Sequence, residues 1–375
     1  MEPIRRDIEP GDLSRAIEAV EGLDRLRRAA ASAGLAAYLV GGWVRDLLVG
    51  RDRVDIDVAV EGSPLAVAEA LGVEARFHER FGTATITLDG HTVDLARTRT
   101  ELYREPGALP EVRPASLAAD LARRDFTVNA IAIPLQGEAA LIDPHGGLAD
   151  LRASVLRDLH ERSFVDDPTR ALRAARYVAR LGLAPEPGTM ERLRDADLEA
   201  VSYDRVEAEL LRLAAEPDPR PGFELLAEWG LVSLPPGAGE EIDAVVELVS
   251  EPAWSTLDHR VEAVLAAARG VPVAGELTET AASPSDAVRL ARGHTPVELL
   301  LARARGSEWL DRYVSDWRSV RLAISGRDLL AAGVAEGPAI GRGLRAALDA
   351  KLDGGVGGRD DELRVALAAA RDGAA

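Results

Sequence analysis

The chain has 375 residues, 45 Lys or Arg against 63 Asp or Glu, a formal charge of −18 and no cysteine. That length predicts two or more domains, and the missing cysteine excludes disulfides, thiol nucleophiles and cysteine-held zinc. The acidity excludes indiscriminate attraction to nucleic acid, although residues 91–180 carry 13 Arg against 13 Asp or Glu and are neutral.

The N-terminus carries charges where a signal peptide has its apolar core, and no apolar run approaches membrane-spanning length. We read a cytoplasmic protein with no membrane association and no obligate protein partner. Leu13, Ile17, Val20, Leu23 and Leu26 lie near helical spacing, predicting one amphipathic helix over 12–34 that stops at Gly34. A strand follows over Ala37 to Val40, then a Gly41-Gly42 turn, a short helix to Leu48 and a strand bearing Asp55 and Asp57. Ser63 and Pro64 read as the cap and first residue of a helix. ATITL and HTVDLA are strands joined by Asp89-Gly90, a strong hairpin signal. Residues 98–115, with three prolines and a glycine, read as an exposed, mobile loop.

A short helix from Ser116 leads into RRDFTVNAIAI, whose apolar end is a strand, and IDPHGGLADL is a turn followed by helix. Beyond about residue 150 the pattern becomes helical, with helices at 166–182 and from Ser202, and Pro/Gly breaks near 217–222, 235–239 and 270–272. A last helical unit starts near Ile324. These breaks place domains at 1–150, 151–216, 217–322 and 323–375. Lys351 is the single lysine.

Asp55 and Asp57 lie two apart on a strand and project to one face, with Val54, Ile56 and Val58 on the other. Asp94, between Val93 and Leu95, adds an acid on a candidate neighbouring strand. Convergent carboxylates suit two hard divalent cations with a phosphate substrate. An acidic chain also produces Asp-x-Asp by chance. Gly41-Gly42 with Arg45 suits a phosphate against a helix N-terminus, or is a plain tight turn.

In this order and spacing, LVGGWVRDLL, DIDVAV, Asp94, RRDFTVNA, IDPHGGLADL and DDPTRALRAARYVARLG resemble the class II tRNA nucleotidyltransferase and bacterial poly(A) polymerase family. That family belongs to the DNA polymerase β-like nucleotidyltransferase superfamily. The resemblance is close over residues 35 to about 215 and loose over the last third. It implies an α+β N-terminal head with a small mixed β-sheet, followed by an all-α neck (151–216), body (217–322) and tRNA-binding tail (323–375). It implies metal binding by Asp55 and Asp57, with Asp94 as third catalytic acid, and Mg2+, two ions, as cofactor. Gly41, Gly42 and Arg45 match the triphosphate motif. Arg124, Asp125 and Asn129 match the motif for the nucleotide ribose and phosphates, in place of the exposed charged turn that Arg123-Arg124-Asp125 would otherwise suggest.

Asp167 and Arg170 match the base-selecting pair, and three-residue spacing puts them on one helix face. An aspartate accepts from the exocyclic amine of C or A while an arginine donates to the ring nitrogen; U and G present the opposite pattern. Asp167 before Pro168 is equally a good helix N-cap. Arg173 and Arg176 are candidate RNA or nucleotide contacts. Asp166 stands where the family commonly has Glu, and His145 reads as structural. The implied reaction adds the 3′-terminal CCA to tRNA from CTP and ATP, releasing pyrophosphate. CC-only or A-only addition, poly(A) synthesis and non-catalytic RNA binding are the alternatives.

Overall fold

A computed structural model of the protein describes residues 10–51 and 56–372. It comprises two compact units, Met1–Leu213 with Leu225–Val232, and Ala214–Glu224 with Ser233–Ala375.

The first unit begins with two helices, α1 (Pro10–Glu18) and α2 (Leu23–Ser32), where the periodicity predicted one. Gly22 breaks it with a φ of +88°, and a Cβ there would lie 2.9 Å from Leu88 Cγ, so the break is also a close contact. The strands are β1 (Ala37–Val40), β2 (Ile56–Val60), β3 (Ala75–His78), β4 (Thr83–Leu88), β5 (His91–Arg97), β6 (Arg99–Leu102), β7 (Glu111–Pro114) and β8 (Ala132–Pro134). Six of them form one sheet in the order β3-β4-β5-β2-β1-β8. Strand β2 pairs parallel with β5 and the other neighbours are antiparallel, the expected small mixed sheet. Asp89 and Gly90 turn the β4–β5 hairpin with φ of 48° and 86°, the two positive values a tight two-residue turn needs.

Helix α3 (Gly41–Leu48) follows β1 directly, and α4 (Pro64–Leu71) is capped by Ser63, whose Oγ accepts from the Ala66 amide. Leu39, Val58, Leu95 and Ala84 are in register across four strands and buried on one sheet face. On the other face Val40, Ala59 and Ala132 are covered by Leu117 and Leu121 of α5 (Leu117–Ala122). That cover stops short of β4 and β3, where Thr87, Arg76 and His78 are exposed.

Residues 98–115 are not an irregular loop. Strands β6 and β7 pair as a hairpin, closed at its base by Thr98 Oγ1 donating to the Ala115 carbonyl at 2.6 Å. At its tip a Cβ on Gly107 would meet the Ala200 carbonyl oxygen at 2.3 Å, so only glycine fits there. The prolines flank or end the strands, and the inward residues of β6 are the charged Arg99 and Glu101, which hides the strand from a test for apolar alternation.

Helices α6 (Gly147–Ala153), α7 (Ser163–Asp166), α8 (Thr169–Leu181), α9 (Pro187–Arg194) and α10 (Tyr203–Ala214) complete the unit. The second unit is helical. Its segments Ala238–Leu248, Arg260–Ala268 and Pro296–Ala304 bury Ile242, Val245, Val264 and Leu300, and Trp254 Nε1 donates to Asp311. Near the C-terminus, Pro338–Leu352 and Arg359–Arg371 approach so closely that a Cβ on Gly343 would lie 2.4 Å from the Ala366 carbonyl oxygen. Lys351 Nζ joins them by donating to buried Glu362 Oε1 at 2.7 Å and to the Arg321 carbonyl at 2.8 Å.

Candidate active site

Asp57 and Asp94 face each other in register on β2 and β5 and project from the same sheet face. Asp94 is exposed, and its Oδ1 accepts from Thr85 Oγ1 at 2.6 Å. Asp55 lies outside the described residues. Gly41 sits beside Asp57 with a φ of +66°, and a Cβ there would be 3.4 Å from Asp57 Oδ2 and 3.0 Å from an Arg124 guanidinium nitrogen. Gly42 is next to Arg45 and Asp57 in the same way, at 3.6 and 3.8 Å. The glycine pair, Arg124, Arg45 and Asp57 therefore converge at the N-terminus of α3. Trp43, Val44, Leu47 and Leu48 anchor that helix in the core.

Arg45 is 3% exposed. Its guanidinium donates to Asp46 Oδ1 at 2.9 Å and to Asn129 Oδ1 at 2.6 Å, and it stacks 4.9 Å from the Tyr177 ring centroid. Asn129 in turn donates to Asp125 Oδ1 at 2.9 Å. Asp125 Oδ2 receives two bonds from Arg173, at 2.7 and 2.9 Å. Burial pushes the Asp125 carboxyl up, but the Arg173 guanidinium and the Asn129 amide overcome it and hold the pKa well below the usual carboxylate range. Arg124 is braced by Asp120 at 3.0 Å.

Of the expected ribose motif, Arg124 thus faces the glycine pair, whereas Asp125 and Asn129 are buried supports linking Arg45 to α8. Arg173 and Arg176, expected as RNA or nucleotide contacts, point inward. Arg173 holds Asp125, Arg176 lies 3.6 Å from Glu209, and both lie against the Tyr177 ring, at 5.7 and 4.8 Å. Buried Asp125 and Glu209 attract them there, in preference to solvent.

Asp167 and Arg170 do not both lie on α8. Asp167 precedes α8 in extended backbone, and its Oδ1 accepts from the Thr169 amide at 3.1 Å and from Thr169 Oγ1 at 2.6 Å, a capping arrangement. The same oxygen pairs with Arg205 at 2.8 Å. Arg170, 5% exposed, turns under the RRD segment and donates to the carbonyls of Arg123 and Arg124 at 2.8 and 3.2 Å and to Ser163 Oγ at 2.8 Å. Its NH1 lies 3.3 Å from His160 Nε2.

The sequence reading missed Tyr177, Glu209 and Arg205. Arg170, Arg173, Tyr177 and Arg180 recur at helical spacing along one stripe of α8, a signal for a polar face turned inward that was available. Arg205 bridges segments far apart in sequence, donating to the Gly107 carbonyl at 2.7 Å as well as pairing with Asp167, and no local pattern announces that.

The donor set at Asp57 and Asp94 is all oxygen and anionic, with a cationic cradle alongside, which fits a hard divalent cation carrying a phosphate. Among the described residues no three His, Cys, Asp or Glu side chains cluster in a metal-binding group. A third acid would have to come from Asp55.

Residues 37–157 match the poly A polymerase head domain. The CC-adding tRNA nucleotidyltransferase of Deinococcus radiodurans is 38% identical over 92% of this chain and 92% of its own length. The A-adding tRNA nucleotidyltransferase of Geobacter sulfurreducens is 33% identical over 89% of this chain, which spans 45% of that protein. The Thermotoga maritima CCA-adding enzyme complexed with tRNA superposes with a TM-score of 0.69 at 26% identity, over 95% of this chain and 98% of that one.

Proposed function

From the premise that this chain belongs to the class II tRNA nucleotidyltransferase and poly(A) polymerase family, we propose that it builds the 3′-terminal CCA of tRNA from CTP and ATP without a nucleic-acid template. The observation that carries the reading is the in-register Asp57–Asp94 pair beside the Gly41-Gly42 cradle. The α-phosphate of the nucleotide lies over the carboxylates, and the α3 N-terminus, Arg45 and Arg124 take the β- and γ-phosphates. Asp55, Asp57 and Asp94 would hold Mg2+, as two ions, whose charge polarises the phosphoryl oxygens and lowers the pKa of an attacking hydroxyl. Asp94, at the open side, accepts the hydrogen bond of the RNA 3′-hydroxyl and aligns it behind the phosphorus. Asn129 and Asp46 fix Arg45 before substrate arrives, so little reorganisation accompanies charge development.

Base choice is assigned to Asp167 with Arg170. Asp167 presents a carboxylate to the exocyclic amine of C or A, and Arg170, held from below by the Arg123 and Arg124 carbonyls, donates to the ring nitrogen. Arg205 holds Asp167 in orientation. On this reading residues 1–150 are the catalytic head, 151–216 the neck that selects the base, and 217–322 and 323–375 a body and tail that grip the acceptor stem.

A second reading, addition of CC alone, is favoured by the identity to the Deinococcus enzyme over nearly the whole of both chains. Three tRNA transcripts, ending at the discriminator base, at C and at CC, each given CTP, ATP or both, separate the readings. Full extension supports CCA addition; arrest at CC, or extension of the CC transcript alone, replaces it with a partial activity. Asp57→Asn should abolish incorporation while tRNA binding persists, and a variant that still incorporates removes Asp57 from the chemistry.

A further inference from the structure

The sheet register gives the open side of the site a direction. The glycine pair follows β1, on one side of β2, and Asp94 stands on the other. In-line displacement places the entering oxygen opposite the leaving group. With pyrophosphate on the Gly41-Gly42 side, the RNA 3′-hydroxyl arrives from the β5 side, over β4 and β3. That half of the sheet face lacks the α5 cover, and Thr92, Asp94, Thr87, Arg76 and His78 are exposed along it.

Register also puts Arg76 opposite Thr85, Thr85 opposite Asp94 and Asp94 opposite Asp57, so one row of side chains runs from the carboxylates to the edge of the sheet. His78, opposite Thr83, projects to the same side two residues along β3. At about 4.8 Å per strand, Arg76 stands about 10 Å from Asp94, within reach of the last phosphates of an incoming strand. Of the arginines nearby, Arg97 is tied to the Gly62 carbonyl, Arg99 to Glu101 and Arg123 to Asp120, while Arg80 lies over the Phe81 ring at 5.4 Å. Among the described residues no ion pair or side-chain hydrogen bond engages Arg76 or His78.

We propose that edge strand β3 is the docking strip for the 3′-terminal strand of the RNA substrate, with Arg76 on the phosphate next to the terminal nucleotide and His78 on a neighbouring phosphate or hydroxyl. This rests on the nucleotidyltransferase reading and extends it to the path of the second substrate.

The test compares wild type with Arg76→Ala/His78→Ala on the same transcripts. Whether wild type extends RNA judges the function by itself, and filter retention of RNA reads the role of β3 even where extension fails. Expected are a rise in RNA KM and Kd of about fivefold to thirtyfold, and kcat and nucleotide KM within about twofold. The slope of log affinity against log salt should be smaller by about 0.7 for each phosphate that the variant no longer neutralises. Making the terminal linkage of the transcript a neutral methylphosphonate should weaken wild type but not the double variant further, and Arg76→Lys should keep most of the affinity. A folded double variant with unchanged RNA affinity and salt slope overturns the proposal, as does an equal loss from the neutral linkage in both proteins.

Discussion

Replacing Asp125 by alanine tests whether the support beneath the site works as its hydrogen bonds suggest. Asp125 is 7% exposed and accepts two bonds from Arg173, one from Asn129 and one from the Phe126 amide. Removing one member of a fully buried ion pair costs about 3–5 kcal/mol, because the partner keeps its charge without compensation. Here the Arg173 side chain is 32% exposed, and Glu209 at 3.5 Å offers it a second carboxylate. We therefore expect about 2–3 kcal/mol. At about 2–4 °C per kcal/mol for a unit of this size, calorimetry should record a fall of roughly 4–12 °C in the transition of the first unit. A cycle with Arg173→Met should give a coupling of at least about 1 kcal/mol. Loss of Asp125 also frees Asn129, so the nucleotide KM should rise through Arg45. A Tm shift below about 2 °C, or additive singles in the cycle, would refute the reasoning and leave Asp125 as a passive turn residue.

Gly41→Ala places a side chain at a φ of +66°, costing about 1–2 kcal/mol, and presses Arg124 from its place; nucleotide KM should rise with modest loss of Tm. Asp167→Ala removes the cap on Thr169, worth about 1 kcal/mol, and should raise misincorporation of UTP and GTP; unchanged discrimination would leave only the capping role. The pH dependence has two parts. Burial and the Arg170 guanidinium lower the His160 pKa, so the folded state binds fewer protons than the unfolded chain. Stability should therefore fall as pH drops below about 6.5, and His160→Gln should flatten that limb. Asp125, depressed in the folded state, stabilises above the unfolded value of about 3.9, and that contribution disappears as pH falls below it. Chemical denaturation across pH 4 to 8 reads the His160 limb, and its extension towards pH 3 reads the carboxylate limb.

What the sequence disclosed follows from how local its causes are. The Asp89-Gly90 turn, the Ser63 cap and the buried alternation of β2 and β5 are written in adjacent residues, and the structure has them. Strand β3, ARFH, escaped because an exposed edge strand buries too little to impose alternation. The β6–β7 hairpin escaped because its stability comes from Thr98 meeting Ala115 and from Gly107 seated against Ala200, meetings that composition does not encode. At the site, the glycine pair, Asp57 and Asp94 were legible as motifs. Residue spacing alone put Asp167 and Arg170 on one helix, whereas Asp167 precedes α8 and pairs with Arg205, and the carbonyls of Arg123 and Arg124 hold Arg170. Long-range satisfaction of buried polar groups decides such orientations, and a one-dimensional reading has no access to it.

The solitary lysine gives the second unit an internal reporter. An endoprotease that cuts only after lysine has a single address in the chain, the bond between Lys351 and Leu352 in the last turn of the Pro338–Leu352 helix. In the folded protein that lysine is bound to Glu362 and the Arg321 carbonyl, so cleavage waits on local opening of the helix pair. When reclosing outpaces cutting, the digestion rate measures the free energy of that opening. The same chain thus yields, without any substitution or label, a clock for how often its C-terminal helices come apart, readable with and without RNA.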